Sequence, residues 1–242
     1  MGHTALSHEK LRISSGKPPI MWTPLNLEPW AALLAGAAFA LALCLPLGRL
    51  AYSLPRSLDP QLPAQASLSH RFYRVLFWTA GPLLGLLCAW RFGATPAAVA
   101  AIVYAVGLLA LAWIDAETGF LPDLLTLPLL WLGLLVNLGG TFSPLADSVL
   151  GAAGGYMALW LLCGAFLLLT GRQGMGNGDF KLLAALGAWL GWASLPWVVL
   201  IASLMALAVA LLRRLAGRMQ AGEAFSFGPY LALVGIVALL RL

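Results

Sequence analysis

Two aspartates stand at the edges of long apolar runs, 64 positions apart. Asp115 closes the run that begins near Pro96, within Trp113-Ile114-Asp115-Ala116-Glu117-Thr118-Gly119. Asp179 opens another, within Gly174-Met175-Gly176-Asn177-Gly178-Asp179-Phe180-Lys181. Two carboxylates that face each other where water is scarce cannot both ionise easily, so one keeps its proton and the pair holds an acid and a base at one pH. That is the working unit of aspartic hydrolysis: the ionised member activates water and the protonated one polarises the scissile carbonyl. Other hydrolytic routes lack their parts. His3, His8 and His70 lie in the N-terminal stretch and the first loop, away from either aspartate in sequence. There is no G-x-S-x-G, no H-E-x-x-H and no Cys–His pairing.

Each of these residues also has a plainer reading. A glycine turn followed by an aspartate at a helix start is common, because the positive end of the helix dipole favours a carboxylate there. Asp115 reads as an interfacial acid that ends a helix, although it then meets the negative end of the dipole. Glu117 and Asp123 are spaced to serve in place of Asp115 as the first acid. Lys181 is either an anchor reaching for the interface or a counter-charge for Asp179. Gly176 and Gly178 give the turn a backbone that takes positive φ or lets another chain approach closely. A phosphate-loop reading fails, because Asn177 and Gly178 stand where a Walker loop needs Lys and Ser or Thr.

The elements that must hold these residues are membrane helices. Of the 242 residues, 61% are hydrophobic and 10% charged, against about 25% charged in soluble domains. The chain has room for roughly eight spans of about 20 residues, so the expected fold is all-α and polytopic, lodged in a lipid bilayer. The spans are expected near 30–50, 75–90, 96–114, 124–138, 145–170, 180–192, 195–212 and from about 227 to the end. Gly151, Gly154 and Gly155 offer the fifth a small-residue face for packing. Residues 1–27 read as a disordered tail, with Met21 a second candidate start, and 28–242 as one transmembrane domain. The tail lacks the apolar run and small-residue cleavage site of a secretory signal. Cys44, Cys88 and Cys163 lie singly within apolar runs and form no C-x-x-C pair, so they read as packing residues, with no metal site and no disulfide. No basic cluster interleaved with aromatics suggests a nucleic-acid partner.

Orientation follows from the basic residues. With the loop after the first span on the cytoplasmic side, Arg49, Arg56, Arg71, Arg74, Arg172, Lys181, Arg213, Arg214 and Arg218 lie inside. Arg91, Arg241, Lys10, Arg12 and Lys17 lie outside, an excess that favours this arrangement. It places Asp115 and Asp179 at the same, cytoplasmic, membrane edge.

Three segments carry a resemblance. Ile114-Asp115, followed by Leu121-Pro122-Asp123-Leu124-Leu125-Thr126-Leu127-Pro128, resembles the first active-site segment of type IV prepilin peptidases. Gly176-Asn177-Gly178-Asp179-Phe180-Lys181 resembles the second, the G-x-G-D-x-K signature of these membrane aspartyl proteases, and Phe227-Gly228-Pro229-Tyr230-Leu231-Ala232 is similar to a motif near their last span. The resemblance covers about residues 70–242. It implies Asp115 and Asp179 as the catalytic pair, Gly176, Gly178 and Lys181 as parts of the active-site turn, and Asp123 as a residue outside the pair. It also implies an endopeptidase of the bacterial inner membrane. The implied activity is removal of a short basic leader from type IV prepilins or type II secretion pseudopilins, with the site facing the cytoplasm.

The sequence departs from that family in one region. Most members carry a cytoplasmic domain after the first span with two zinc-binding C-x-x-C pairs, linked to S-adenosylmethionine-dependent methylation of the new N-terminus. Here that loop has no cysteine. The expectation is therefore a peptidase that needs no cofactor and leaves its product unmethylated, S-adenosylmethionine being required only where a methyltransferase activity is retained. Two other classes fit the paired acids: a proton-coupled transporter, which predicts acids near mid-bilayer and repeated halves, and a catalytically silent assembly factor.

Overall fold

The computed structural model describes residues 27–58, 68–171, 176–217 and 226–242, and these are helical. Eight α-helices follow in order: α1 (Pro29–Leu58), α2 (Leu68–Phe92), α3 (Pro96–Thr118), α4 (Asp123–Val136), α5 (Leu145–Thr170), α6 (Asn177–Leu190), α7 (Leu195–Leu215) and α8 (Gly228–Arg241), with short 3-10 turns after α4 and before α7. The expected tail lies almost wholly in residues 1–26, outside the described residues.

Successive helices run in opposite directions. At one edge Lys181 meets Asp123, joining the starts of α6 and α4, and Ser226 bonds the backbone of Asp115, joining the approach to α8 with the end of α3. At the other edge Asn137, just past α4, donates to the carbonyls of Ala188 and Trp189 at the end of α6. Arg91, at the end of α2, likewise bonds the carbonyl of Leu240 near the end of α8.

Among the described residues, five helical stretches are long and apolar enough to cross a membrane: Pro29–Ser57, His70–Phe92, Pro96–Thr118, Leu145–Thr170 and Trp192–Leu215. The protein is a multi-pass membrane protein. The fourth, sixth and eighth of the expected spans are a different kind of element. α4, α6 and α8 have 14 residues each, about 21 Å at 1.5 Å per residue, whereas the hydrocarbon core is about 30 Å thick. α6 is the centre of the molecule, with eleven of its residues buried. Its far end is held there because the Trp189 indole donates to the carbonyl of Leu129 in α4 at 2.8 Å.

Helices close on one another here through small residues rather than through exclusion of water, since lipid is as apolar as leucine. A Cβ at Gly151 would stand 2.6 Å from the Gly187 carbonyl oxygen, and one at Gly155 2.9 Å from that of Leu183, so these two glycines let α5 lie directly on α6. Gly154, the third of the expected face, meets nothing within 4 Å. The same device joins α1 to α2, where a Cβ at Gly36 would stand 2.8 Å from the Gly85 carbonyl oxygen.

The connection between α1 and α2 is shorter than the sequence pattern suggests. Arg56 belongs to α1, and His70, Arg71 and Arg74 belong to α2. Both helices continue past their apolar runs because polar side chains at their ends find buried partners on α3.

Candidate active site

Three chain segments build the site. The first is the end of α3. Gly119 takes the left-handed conformation (φ 67°) that ends a helix, and its N–H bonds the Asp115 carbonyl at 2.8 Å. Asp115 therefore sits in the last turn, with only 4% of its surface exposed. The chain turns through Leu121 and Pro122 into α4, whose first residue is Asp123. The second segment is the start of α6. Gly176 is its N-cap in extended conformation, and Asp179 is the third helical residue, 8% exposed. The third is the approach to α8, where the Ser226 hydroxyl donates to the Asp115 carbonyl at 2.9 Å.

The first two segments line a cavity of about 290 Å³ with Asp115, Asp123, Gly176, Gly178, Asp179 and Lys181, and Gly119, Phe120, Leu121 and Asn177 complete its wall. All five residues expected to form the site thus face one space. Asp115 Oδ2 and Asp179 Oδ1 are buried without a hydrogen-bond partner among the described residues. Buried polar atoms are rarely left in that state, and an unpaired carboxylate oxygen facing a cavity is free to bind a water or a carbonyl. Asp179 lies outside the five long stretches, and its carboxyl is pushed up to about 7, first by burial and then by the charge of Asp115. The two acids therefore act on each other across the cavity.

The glycine turn works differently from the sequence-based expectation. Neither Gly176 nor Gly178 has a positive φ. A Cβ at Gly178 would stand 2.8 Å from the Cβ of Leu121. Its bareness thus serves contact with the protein's own wall, letting the first turn of α6 close against the α3–α4 connection. Gly176 meets nothing within 4 Å. Gly174 and Met175 lie outside the described residues.

Lys181 is a counter-charge for Asp123 rather than for Asp179. Its Nζ lies 2.6 and 2.8 Å from the carboxylate oxygens of Asp123. Two residues along a helix is a rotation of about 200°, so Lys181 leaves the helix on the side away from Asp179 and towards the start of α4. The pair sits at the cavity rim, the lysine side chain 29% and the aspartate 54% exposed.

Glu117, one of the alternative first acids, is fully engaged elsewhere. It accepts from Arg56 of α1 (3.1 Å) and the Trp113 indole (3.0 Å), and lies 2.9 Å from Nδ1 of His70 in α2. With Asp123 neutralised by Lys181, Asp115 remains the acid that shares the cavity with Asp179 and has no ion-pair partner among the described residues. The sequence reading left the Glu117 cluster unseen, because Arg56 and His70 were assigned to a loop. It also left Gly228 without a role. A Cβ there would stand 2.7 Å from Asp115 Oδ2, so that glycine is what allows α8 to start against the carboxylate. The signal for Gly228 was its place in the Phe227-Gly228-Pro229-Tyr230 motif.

Residues 102–211, which hold both aspartates of the cavity, match the family model described as the type IV leader peptidase family. Among curated proteins, the chain is 47% identical over 171 residues to a prepilin leader peptidase/N-methyltransferase of Neisseria gonorrhoeae, covering 71% of this chain and 58% of that protein. It is 55% identical over 148 residues to one of Burkholderia pseudomallei (61% and 48% covered). It is 57% identical over 130 residues to one of Dickeya chrysanthemi (54% and 46% covered). The chain thus spans about half the length of these relatives. No solved structure matches it. The matched stretch ends before α8, so Gly228 and Ser226, which approach Asp115, lie beyond it.

Proposed function

We propose that this protein is a membrane aspartyl endopeptidase. It removes the basic leader of type IV prepilins or type II secretion pseudopilins at the cytoplasmic face of a bacterial inner membrane. The observation that carries this reading is the meeting of Asp115 and Asp179 in one cavity, each buried and each with an oxygen that has no hydrogen-bond partner among the described residues. Asp115 and Asp179 are the catalytic residues. The pair holds one proton. Its ionised carboxylate takes a proton from water as that water attacks the scissile carbonyl carbon, while the protonated carboxyl donates to the carbonyl oxygen. When the tetrahedral gem-diol collapses and the C–N bond breaks, the leaving amine nitrogen takes a proton from one carboxyl and a gem-diol hydroxyl gives its proton to the other, so the pair again holds one proton.

The short helices support the substrate class. α4 and α6 begin at the cavity, and α8 begins against Asp115. A scissile bond flanked by an apolar membrane helix could reach this depth, with the polar leader remaining at the aqueous side. A transporter reading draws no support from the geometry, since both acids lie at one edge of the bundle rather than along a path through it.

The peptidase step as proposed needs no cofactor, because an aspartate pair activates water without a metal. The cysteine-free stretch between α1 and α2 further suggests a product left unmethylated. The test is co-expression with a prepilin, followed by mass measurement of the mature N-terminus. Leader removal with a free amine is expected. A prepilin left intact by the wild-type chain would reject the peptidase, and a methyl increment dependent on S-adenosylmethionine would reject the unmethylated product. Elemental analysis showing one zinc per chain, or activity lost to chelators, would reject the metal-free mechanism.

A further inference from the structure

The last turn of α3 should be unstable as an isolated helix end. It carries Asp115 and Glu117 against the negative end of the helix dipole and has no basic residue of its own. Helix ends fray where their last carbonyls and side chains lack partners. Fraying here would move Asp115, whose carbonyl accepts the capping N–H of Gly119.

What opposes fraying is a buried cluster gathered on the Glu117 carboxylate. Arg56 brings the cation from α1, His70 a ring nitrogen from α2, and Trp113 an indole N–H from one turn earlier in α3. The imidazole is 2% exposed and lies against two rings, Tyr52 of α1 at 4.9 Å and Trp113 at 5.2 Å between centroids. The Arg56 guanidinium stacks 4.0 Å over the Tyr52 ring. Three helices thus meet at one carboxylate, two residues beyond Asp115.

We propose that Glu117 is a positioning residue of the peptidase: it ties the last turn of α3 to α1 and α2 and thereby holds Asp115 at its working distance from Asp179. The inference rests on the reading of Asp115 and Asp179 as the catalytic pair. The cluster joins the end of α1 and the start of α2. Side-chain hydrogen bonds bring those ends together on α3. An acid displaced by even 1 Å loses about a hundredfold in rate, so loosening this turn acts on turnover while leaving the substrate's helix contacts in place.

The test uses the full chain in detergent, with a prepilin segment comprising leader and apolar helix as substrate. Variants are Glu117→Gln, His70→Ala, Trp113→Phe and Asp115→Asn, each corrected for its folded fraction. Expected for Glu117→Gln is a kcat lower by about tenfold or more with KM within about twofold, the signature of an interaction that acts in the transition state. The high-pH limb of its kcat profile should also move to lower pH, because a displaced Asp115 raises the Asp179 carboxyl less. Trp113→Phe, which keeps the ring and removes the donor, should lower kcat in the same direction by a smaller factor. Combining His70→Ala with Glu117→Gln should cost little more than either alone, since both break one unit. Wild-type kcat and an unmoved pH limb in Glu117→Gln would overturn the proposal, even if its melting temperature fell. Should Glu117→Gln fail to fold, wild-type kcat in Trp113→Phe would overturn it in the same way. Failure of the underlying reading looks different: Asp115→Asn would then process the substrate like wild type.

Discussion

The last turn of α3 holds two carboxylates in opposite circumstances. Glu117 is surrounded by donors from three helices, whereas Asp115, two residues before it, has an oxygen with no partner. Both are largely buried. The difference lies in which way the helix aims them. Glu117 faces α1 and α2, which supply a guanidinium, an imidazole and a rigid aromatic wall. Asp115 faces the starts of α6 and α8, where its charge acts on another acid, Asp179, and a Cβ at Gly228 would stand against its carboxylate. A saturated carboxylate fixes structure, because removing any partner leaves a buried charge poorly satisfied. An unsaturated one retains capacity for water, substrate and proton, at a cost in stability that the rest of the fold must offset. Burial alone would not have told the two apart.

The comparison predicts a wide spread of mutational effects. The largest belongs to the unsaturated side. Asp115→Asn and Asp179→Asn keep the side-chain shape but cannot cycle a proton, so leader removal should fall by about 10²–10⁴-fold or more. Membrane insertion should be unchanged, read by fractionation and the mass of the substrate N-terminus. Normal processing by either variant would end the aspartyl mechanism.

Next come the glycines that let backbone approach the pair. Gly228→Ala places a methyl 2.7 Å from Asp115 Oδ2 and should displace that carboxylate, with a severe loss of kcat. Gly178→Ala meets Leu121 and should cost about 1 kcal/mol or more, from overpacking. Gly176→Ala has open space and should be close to neutral. Equal effects at all three positions, measured in the same assay, would refute the packing argument.

A third prediction concerns pH and stability. The Asp179 carboxyl rises from an ordinary 3.8 to about 7 on folding. A raised acid takes up a proton on folding, so its contribution is full below the unfolded value and is lost as pH rises through the folded one. Asparagine does not titrate. The melting temperature of Asp179→Asn in detergent should therefore gain on that of wild type between about pH 4 and 7 and hold its lead above. A constant difference across that window would contradict the assigned shift. For activity, the singly protonated pair disappears as Asp179 ionises, so wild-type turnover should decline above about pH 7.

The smallest effect belongs to the rim. Asp123 and Lys181 form a partly exposed ion pair, worth about 0–1 kcal/mol in such settings. Asp123→Asn should retain most leader removal, and Lys181→Met should behave alike. A loss as deep as that of Asp179→Asn, in the same processing assay, would give the pair a part in the chemistry and redraw the boundary of the site.

The sequence by itself determined the class of structure and the identities of the two unpaired acids. Membrane helices are legible because an apolar run must satisfy its own backbone, so composition and run length suffice. Asp115 and Asp179 stood out because charge at the end of an apolar helix is costly and needs a reason, and the flanking motifs narrowed the choice. Only the tertiary structure decided the rest. Arg56, His70 and Glu117 come from three helices and share no sequence signal, since hydrogen bonds between distant segments leave no periodicity behind. The partner of Lys181 was hidden for a related reason: proximity in sequence offered Asp179, but helical rotation turned it to Asp123. Gly178 and Gly228 looked like conformational freedom or motif, and each proved to be space for a particular neighbour. Which of the acids in the α3–α4 segment remains free depends on what packs against each one, and that is set by the arrangement of the whole bundle.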